Sequence, residues 1–403
     1  MSGAIGIVCI LIFAVFLSSN RKSINLWTVI VAFGLQATLG AFALYFPIGQ
    51  SIFQSLSFVI SDLLEHSTAG TSFVFGDLAD GSKMFYFAFQ VLPVIIFFSA
   101  LVSVFYYIGV MQLCIRIIGG GLRILLKTSR VESMVAATNI FLGIGEAPLV
   151  ARPYIPELSR SQLFAVMVCC LSSVAGSVLA GYAAMGVSLD SLIAASFMAA
   201  PGGLLMSKLM EPEIDSGANE KFSMSIGDHH HSNIFQAAAD GAIAGLTLAL
   251  NIGALLIAFM GIIALLNVSL EWLASLFGIE GATIQTILGK LFQPVAFLIG
   301  VPLHESEFVG GLLGQKLVFN EFVAFMQFTE LQTSLSRESQ IIATFALCGF
   351  ANFASIGVLL GGLGVLAPSR RAEISQLSLR ALVAATLANL MSAAIAGTFM
   401  GWS

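Results

Sequence analysis

Charged residues are scarce in this sequence. Asp, Glu, Lys and Arg make up 10% of the 403 residues, while 58% are hydrophobic and the mean hydropathy is +0.96. Soluble domains carry about 25% charged residues. The composition therefore excludes a soluble globular protein and predicts a polytopic membrane protein, with the lipid bilayer around it and no nucleic-acid partner.

The sequence also lacks the patterns of a metal or disulfide site. Its five cysteines lie in or beside apolar segments, at Cys9, Cys114, Cys169, Cys170 and Cys348. None has the spacing of a metal site, so we expect packing thiols and no disulfide. Three adjacent histidines at residues 229–231 cannot all face one ion, and we interpret them as part of a solvated connector. No organic cofactor is expected.

Enzyme signatures are missing from the apolar segments as well. They contain no His-Glu-x-x-His motif, no paired aspartates and no serine with a nearby base, so we predict that the chain is not an enzyme. The one compact polar cluster, His304-Glu305-Ser306-Glu307, is interpreted as a feature of a re-entrant hairpin. A transporter or channel for a small polar solute is a function compatible with these absences.

Long apolar runs predict eight transmembrane helices. The runs are residues 5–18, 26–46, 85–110, 161–185, 189–209, 237–267, 339–366 and 381–396. If the chain starts outside, most of the 17 Lys and Arg residues fall on the inner side, which predicts that both termini lie outside. The exceptions, on or near the outer side, are Lys83, Lys290, Lys316 and Arg337.

Two amphipathic segments do not fit a crossing. Residues 51–65 are too short and too polar on one face to span the bilayer, so we predict an interfacial helix there. An outer loop is expected to follow at residues 66–83. Residues 111–127 form a basic amphipathic segment, which we place on the inner surface.

An ionisable residue interrupts the apolar stretch at residues 139–155. Glu146 lies there between Gly143, Gly145 and Pro148, residues that end helices. We therefore expect two helical arms, residues 131–142 and 147–158, each rising about 18 Å. That is a little over half of a bilayer core of about 30 Å, so the stretch predicts a re-entrant hairpin. A carboxylate at membrane depth indicates a functional residue.

The second half of the chain repeats this plan. Residues 292–328 form another broken apolar segment, with Glu321 as its carboxylate. The triplet Leu-Ser-Arg that ends at Arg337 echoes the one that ends at Arg160, and each precedes a helix interrupted by small or polar residues. The two units enter the membrane from opposite sides. This arrangement predicts inverted repeats, which place substrate and coupling ions near the midplane.

Three motifs occur in order along the chain: G-x-x-E-A-P-L with R-P-Y-I, then K-L-V-x-N-E-F-V-A, then C-G-F-A-N-F-x-S-I-G. Together they resemble the concentrative nucleoside transporter family in its short bacterial form, over nearly the whole chain. The resemblance implies cation-driven symport of a nucleoside by a homotrimer in the bacterial inner membrane. Each subunit would have a scaffold domain and an elevator-type transport domain, the latter built from two hairpins and two discontinuous helices.

The resemblance also implies a division of the chain. Residues 1–130 would hold the N-terminal scaffold and interfacial helices, and residues 131–210 the first hairpin repeat. Residues 211–283 would hold a polar loop and a scaffold helix. Residues 284–403 would form the second hairpin repeat.

A cation site follows from the resemblance by position. It would consist of Asn139, the Leu142 carbonyl, Ser173 and the Val174 carbonyl. An oxygen-only set without a carboxylate suits a weakly bound monovalent ion, so sodium is favoured as the coupling ion. Proton coupling through buried carboxylates is the alternative.

A nucleoside site follows in the same way. The family holds the ribose with the glutamate of the second hairpin, here Glu321, together with Asn352 and Ser355. A carboxylate and an amide can bind two vicinal hydroxyls in one plane. Phe350 would pack against the base, and Val178 would line the pocket.

The first hairpin tip departs from the family pattern. Other members carry Gln followed by Thr or Ser before the glutamate, whereas this tip contains Ile144, Gly145 and Glu146. Glu146 can still accept a hydrogen bond from the base, but Ile144 offers only apolar contact. We therefore expect a base preference altered from the usual pyrimidine type, towards pseudouridine, modified nucleosides or purines.

Overall fold

The computed structural model describes residues 2–80, 84–214, 232–278 and 281–401. Within these ranges the regular secondary structure is helical, without strands. The first part contains α1 (Ser2–Phe16), α2 (Leu26–Leu44), α3 (Pro47–Phe75), α4 (Phe87–Gln90), α5 (Leu92–Tyr107), α6 (Val110–Leu126), α7 (Arg130–Thr138), α8 (Arg160–Ser172) and α9 (Gly176–Ala184). The second part contains α10 (Leu189–Met210), α11 (Ile234–Ser275), α12 (Ile284–Leu298), α13 (Leu303–Val318), α14 (Glu321–Leu331), α15 (Arg337–Leu347), α16 (Phe353–Leu366) and α17 (Arg371–Met400).

Six segments of the described chain are long and apolar enough to cross a membrane. They are Leu26–Leu44, Phe87–Tyr107, Arg160–Ala184, Leu189–Met210, Ile234–Ser275 and Pro368–Met400. In addition, α12 and α13 form a pair bent by 116°, and α1 and α16 are shorter apolar helices. The predicted all-helical, polytopic fold is confirmed, whereas the number of eight crossings stays a prediction.

Helix α3 corrects one expectation. An outer loop is expected from residue 66, yet the helix continues to Phe75 and ends only at Gly76 with φ 56°. The polar residues in this stretch do not interrupt it, because their hydroxyls bond to carbonyls of the preceding turn. Ser67 donates to the Leu64 carbonyl and Thr71 to the Ser67 carbonyl. Lys83 and the three adjacent histidines lie outside the described residues.

The first hairpin corrects another. Its first arm is the α-helix α7, but its second arm consists of two 3-10 turns, Ala147–Ala151 and Ile155–Glu157. Proline lacks the N–H that an α-helix needs and clashes with the preceding turn. With Pro148, Pro153 and Pro156 in this arm, a regular α-helix cannot form. The second hairpin has two α-helical arms, α13 and α14.

The two Leu-Ser-Arg triplets start the discontinuous helices. Ser159 accepts a hydrogen bond from the Gln162 amide and so caps α8, and Ser336 does the same for α15 with the Ser339 amide. A serine at this position satisfies an amide that has no partner within the helix. As predicted, each helix is then broken: α8 gives way to α9 after Ser172, and α15 to α16 after Leu347.

Two groups of helices pack differently around the breaks. α8, α10 and α17 form the buried centre, with α2 against α10 and α1 against α17. α5 and α11 pack along each other through small residues: a Cβ on Gly241 would lie 2.5 Å from Cβ of Ser103, and one on Gly245 would lie 2.7 Å from Cβ of Ser99. Such close contact is typical of membrane helices.

The five cysteines are free thiols.

Candidate functional site

The second hairpin holds a buried carboxylate at the start of a helix. Asn320 caps α14 by accepting a 2.9 Å hydrogen bond from the Val323 amide, so Glu321 is the first helical residue. A negative charge is stabilised at this end of a helix. Glu321 is nevertheless only 3% exposed, and a buried carboxylate needs hydrogen-bond donors.

Two donors face this carboxylate from other helices. The Asn352 amide donates to Oε2 at 2.7 Å, and the Tyr182 hydroxyl donates to Oε1 at 3.2 Å. Asn352 is itself fixed, because its Oδ1 accepts from the Ser355 amide at 2.8 Å and caps α16. The structure therefore brings the predicted Glu321, Asn352 and Ser355 together at the junction of two helix N-termini.

Tyr182 is a member of this cluster that the sequence analysis missed. It lies in α9, is fully buried, and its ring packs against Phe322 and Phe325 with centroid distances of 4.7 and 4.3 Å. Nothing in the sequence around a tyrosine in an apolar helix indicates that its hydroxyl binds a residue far away in the chain. Val178 is buried one turn earlier in the same helix.

The tip of the first hairpin reaches the break in α8–α9. The Gly176 amide donates to the Phe141 carbonyl at 2.8 Å, so the tip is tied to the start of α9. A Cβ on Gly143 would lie 3.7 Å from the ring of Phe350. Phe350, which is predicted to contact the base, thus lies next to this tip.

The remaining tip residues are more open. Glu146 and Gly145 are exposed, and Ile144 is half-buried. No hydrogen bond or ion pair of the Glu146 side chain is found within the described residues. Glu146 is thus less enclosed by the described residues than Glu321, and it immediately precedes the first 3-10 turn of the second arm.

The predicted cation ligands lie around the same break. Asn139 ends α7, and its side-chain amide donates to the Cys169 carbonyl in α8. Its Oδ1 is buried and has no hydrogen-bond partner. Ser173, with extended backbone, and Val174 are buried in the break itself, and Leu142 is buried in the tip.

This set of residues fits a monovalent cation. A buried amide oxygen without a hydrogen-bond partner is costly unless an ion or a water molecule binds it, and Asn139 Oδ1 is such an atom. No group of three or more His, Cys, Asp or Glu that could hold a metal occurs in the part of the chain that the structure describes. Neutral oxygens without a carboxylate favour a weakly held ion over a divalent one.

Comparison with known proteins decides the family. The model described as "Na+ dependent nucleoside transporter C-terminus" matches residues 191–397, and the corresponding N-terminal model matches residues 5–78. A third, "Nucleoside recognition", matches residues 88–189. The chain belongs to the concentrative nucleoside transporter family. It is accordingly a membrane transporter and not an enzyme.

Two bacterial relatives match over nearly their whole length. The chain is 49% identical to an uncharacterized transporter of Haemophilus influenzae over 100% of this chain and 98% of the relative. It is 44% identical to the nucleoside permease NupC of Helicobacter pylori, with 98% and 97% covered. The curated relatives thus include a nucleoside permease of the same length.

Solved structures of a family member, CNTnw, share the fold. A variant in an outward-facing state has a TM-score of 0.97 at 47% identity, covering 100% of this chain and 99% of that chain. CNTnw in an inward-facing, substrate-bound state has a TM-score of 0.94 at 48% identity, covering 100% and 98%. The family fold that the motifs predicted, with its transport and scaffold parts, is confirmed.

Proposed function

We propose that this protein is a sodium-coupled nucleoside symporter that imports nucleosides across the bacterial inner membrane, with both termini outside. The observation that carries the proposal is the buried Glu321 carboxylate, held by Asn352 at the junction of α14 and α16. Ribose presents two vicinal hydroxyls, which can donate to a carboxylate and accept from an amide. Membership of a family of nucleoside transporters supports this substrate class.

In this proposal the cluster binds the sugar. Glu321 accepts from one hydroxyl, and Asn352 with Ser355 binds the neighbouring one. Charge-assisted hydrogen bonds in a dry site are the strong ones, so this end of the nucleoside contributes most of the binding energy. Phe350 packs against the base and Val178 closes the pocket.

The base lies under the first hairpin tip. Glu146 accepts a base N–H, while Ile144 and Gly145 give no polar contact. Without side-chain amides that hydrogen-bond to the edge of the base, the site does not select between bases that differ at that edge. The proposed substrates therefore include pseudouridine, other modified nucleosides and purines besides uridine.

Sodium is the proposed coupling ion. It is bound by Asn139 Oδ1, the Leu142 and Val174 carbonyls and the Ser173 hydroxyl. This site joins the first hairpin to the broken helix, so an ion there holds the tip against Phe350 and completes the nucleoside pocket. Coupling follows because each ligand favours the conformation that the other needs.

We further propose an elevator movement within a homotrimer. Residues 131–210 and 284–403 would form the mobile part, while residues 211–283 and helices from residues 1–130 form the support. α1 and α2 belong to the predicted N-terminal scaffold but pack directly on α17 and α10, so we propose that these two helices move with the hairpins and not with the support. α5 and α11 then remain as the fixed pair.

The direct test is uptake of radiolabelled uridine by proteoliposomes, with an inward sodium gradient or with choline in its place at fixed pH. Sodium-driven accumulation is expected, and unlabelled pseudouridine and adenosine should compete. Uptake that follows an inward proton gradient and ignores sodium would contradict sodium coupling. Failure of all nucleosides to be taken up or to bind would contradict the substrate class.

A further inference from the structure

A lysine is buried at the centre of the second repeat. Lys316 lies near the end of α13 and is 4% exposed. Its ammonium donates to the Ala346 carbonyl at 2.8 Å and to Asn389 Oδ1 at 2.7 Å. Ala346 lies in the last turn of α15, where the helix dipole favours a cation. A buried ammonium needs such partners.

The position of this lysine in the repeat corresponds to that of Asn139. The helices that follow the two hairpins begin at Arg160 and Arg337. Counted back from these two residues, Asn139 and Lys316 stand at the same place in the sequence. The proposed cation ligand of the first repeat therefore has a lysine as its counterpart in the second.

The contacts of the two residues correspond as well. Each side chain donates a hydrogen bond to the carbonyl of the residue 30 positions further along the chain, Asn139 to Cys169 and Lys316 to Ala346. Both carbonyls belong to the last turn before the break in the discontinuous helix. The match in sequence is thus also a match in geometry.

The two breaks meet at equivalent residues. The Phe350 amide donates to the Ser173 carbonyl at 3.2 Å. Phe350 follows Arg337 by the same number of residues as Ser173 follows Arg160, so the two residues are equivalent in the repeats. A contact between equivalent residues is expected where the pseudo-two-fold axis of inverted repeats passes. The cation site and Lys316 therefore lie on either side of this axis.

We propose that the Lys316 ammonium is a covalently attached cation. It fills, in the second repeat, the place that the coupling sodium takes in the first. The second repeat consequently has no site for an exchangeable ion, and one sodium ion moves with each nucleoside. This inference rests on the proposed sodium symport.

Asn389 connects this charge to both breaks. Its amide donates to the Ser172 carbonyl at 2.6 Å and to the Cys348 carbonyl at 3.4 Å, while its oxygen accepts from Lys316. One side chain of α17 thus binds the ends of α8 and α15. Close contact requires Gly349, since a Cβ there would lie 2.4 Å from Asn389 Oδ1. Through Asn389, the Lys316 ammonium thus helps to fix the positions of the ends of α8 and α15 relative to each other.

The unchanged protein gives the first test. The proteoliposomes are held at zero membrane potential and given a tenfold sodium gradient. If one sodium ion moves with each nucleoside, uridine accumulates about tenfold at equilibrium, and if two ions move, it accumulates about a hundredfold. We expect about tenfold. A hundredfold accumulation would overturn the inference but leave the symport intact, whereas no accumulation would contradict both.

The second test is Lys316→Asn, which places the first repeat's residue in the second. Opening a second ion site should raise the Hill coefficient for sodium from about one towards two, the number of sites being its upper limit. A merely structural lysine would lower uptake without changing this steepness, and an unchanged Hill coefficient would count against the inference. The matched control is Lys290→Asn, which removes an exposed lysine from the neighbouring α12 and should leave the sodium dependence as it is.

Discussion

The two hairpins hold equivalent places in the inverted repeats but present their glutamates differently. Glu321 begins a regular helix, is buried and has two side-chain donors. Glu146 lies before a 3-10 turn at an exposed tip. The first arrangement is preorganised for one ligand geometry, whereas the second can adapt. In the proposed function this difference matches the two ligand parts that the glutamates contact, the ribose at Glu321 and the base at Glu146.

The repeats also differ in the cation at their centre. The first leaves an amide oxygen of Asn139 without a partner, and the second supplies the Lys316 ammonium. An ion that can leave couples transport to a gradient, while a tethered one only stabilises the helix ends. In the proposed mechanism the first repeat therefore binds the exchangeable cation, and the second repeat carries the permanent one.

The strongest challenge to this comparison is Glu321→Gln. It preserves size but removes the charge that the ribose hydroxyls and Asn352 require. Loss of one partner from a buried charged hydrogen-bond set costs about 2–5 kcal/mol, so uridine uptake should become undetectable. Glu330→Gln, an exposed change in the same helix, is the matched control and should transport normally. Uptake above half of the unchanged protein's in Glu321→Gln would place the ribose elsewhere.

Asn139→Ala tests the proposed site of the exchangeable cation in the first repeat. The change removes the orphaned oxygen and the amide that donates to the Cys169 carbonyl, which keeps the Ser172 hydroxyl as a donor, for a cost of about 1–3 kcal/mol. Half-saturating sodium should rise by about tenfold or more, while maximal uptake at saturating sodium is largely retained. The measurement is uridine uptake over a sodium series. An unchanged half-saturating concentration would remove Asn139 from the cation site.

Tyr182→Phe tests the contribution of a first-repeat residue to the Glu321 cluster. It deletes one neutral donor to Glu321 but keeps the ring between Phe322 and Phe325. Such a hydrogen bond contributes about 0.5–1.5 kcal/mol, so KM for uridine should change by about two- to tenfold, with sodium dependence unaltered. An altered Hill coefficient for sodium would show that the tyrosine acts on the ion site instead.

Ile144→Gln has the smallest expected effect and tests the adaptable tip. A polar side chain at this position should change the ratio of uptake between uridine and purine nucleosides by about tenfold or less, as one added contact does. Total transport and sodium affinity should stay the same. Competition by unlabelled nucleosides measures the ratio, and an unchanged ratio would show that this position does not face the base.

The sequence predicted those site residues that are polar within an otherwise apolar stretch. Glu321 and Asn352 interrupt apolar stretches, and the two Leu-Ser-Arg triplets announced the broken helices. The expected α-helical second arm is wrong because Pro153 and Pro156 follow Pro148 within this arm, and each proline removes a backbone donor that an α-helix needs. Amphipathic patterning could not show that the hydroxyls of α3 bond within their own helix.

Other site residues could not be predicted because their role depends on distant partners. Tyr182 resembles any core aromatic until Glu321 is placed beside it. The positive-inside rule does not distinguish a loop lysine from Lys316, which is buried among helices. Asn389 lies in a long helix and gains its role only from the two breaks that it contacts.

The division of labour between the repeats is tested most directly by equilibrium binding of labelled nucleoside to purified protein over a sodium series. Asn139→Ala should bind the nucleoside once sodium is high enough, because its ribose site is intact. Glu321→Gln should bind none at any sodium concentration, yet its melting temperature should still rise with sodium. Loss of that sodium response in Glu321→Gln, or failure of Asn139→Ala to bind at any sodium concentration, would contradict the account.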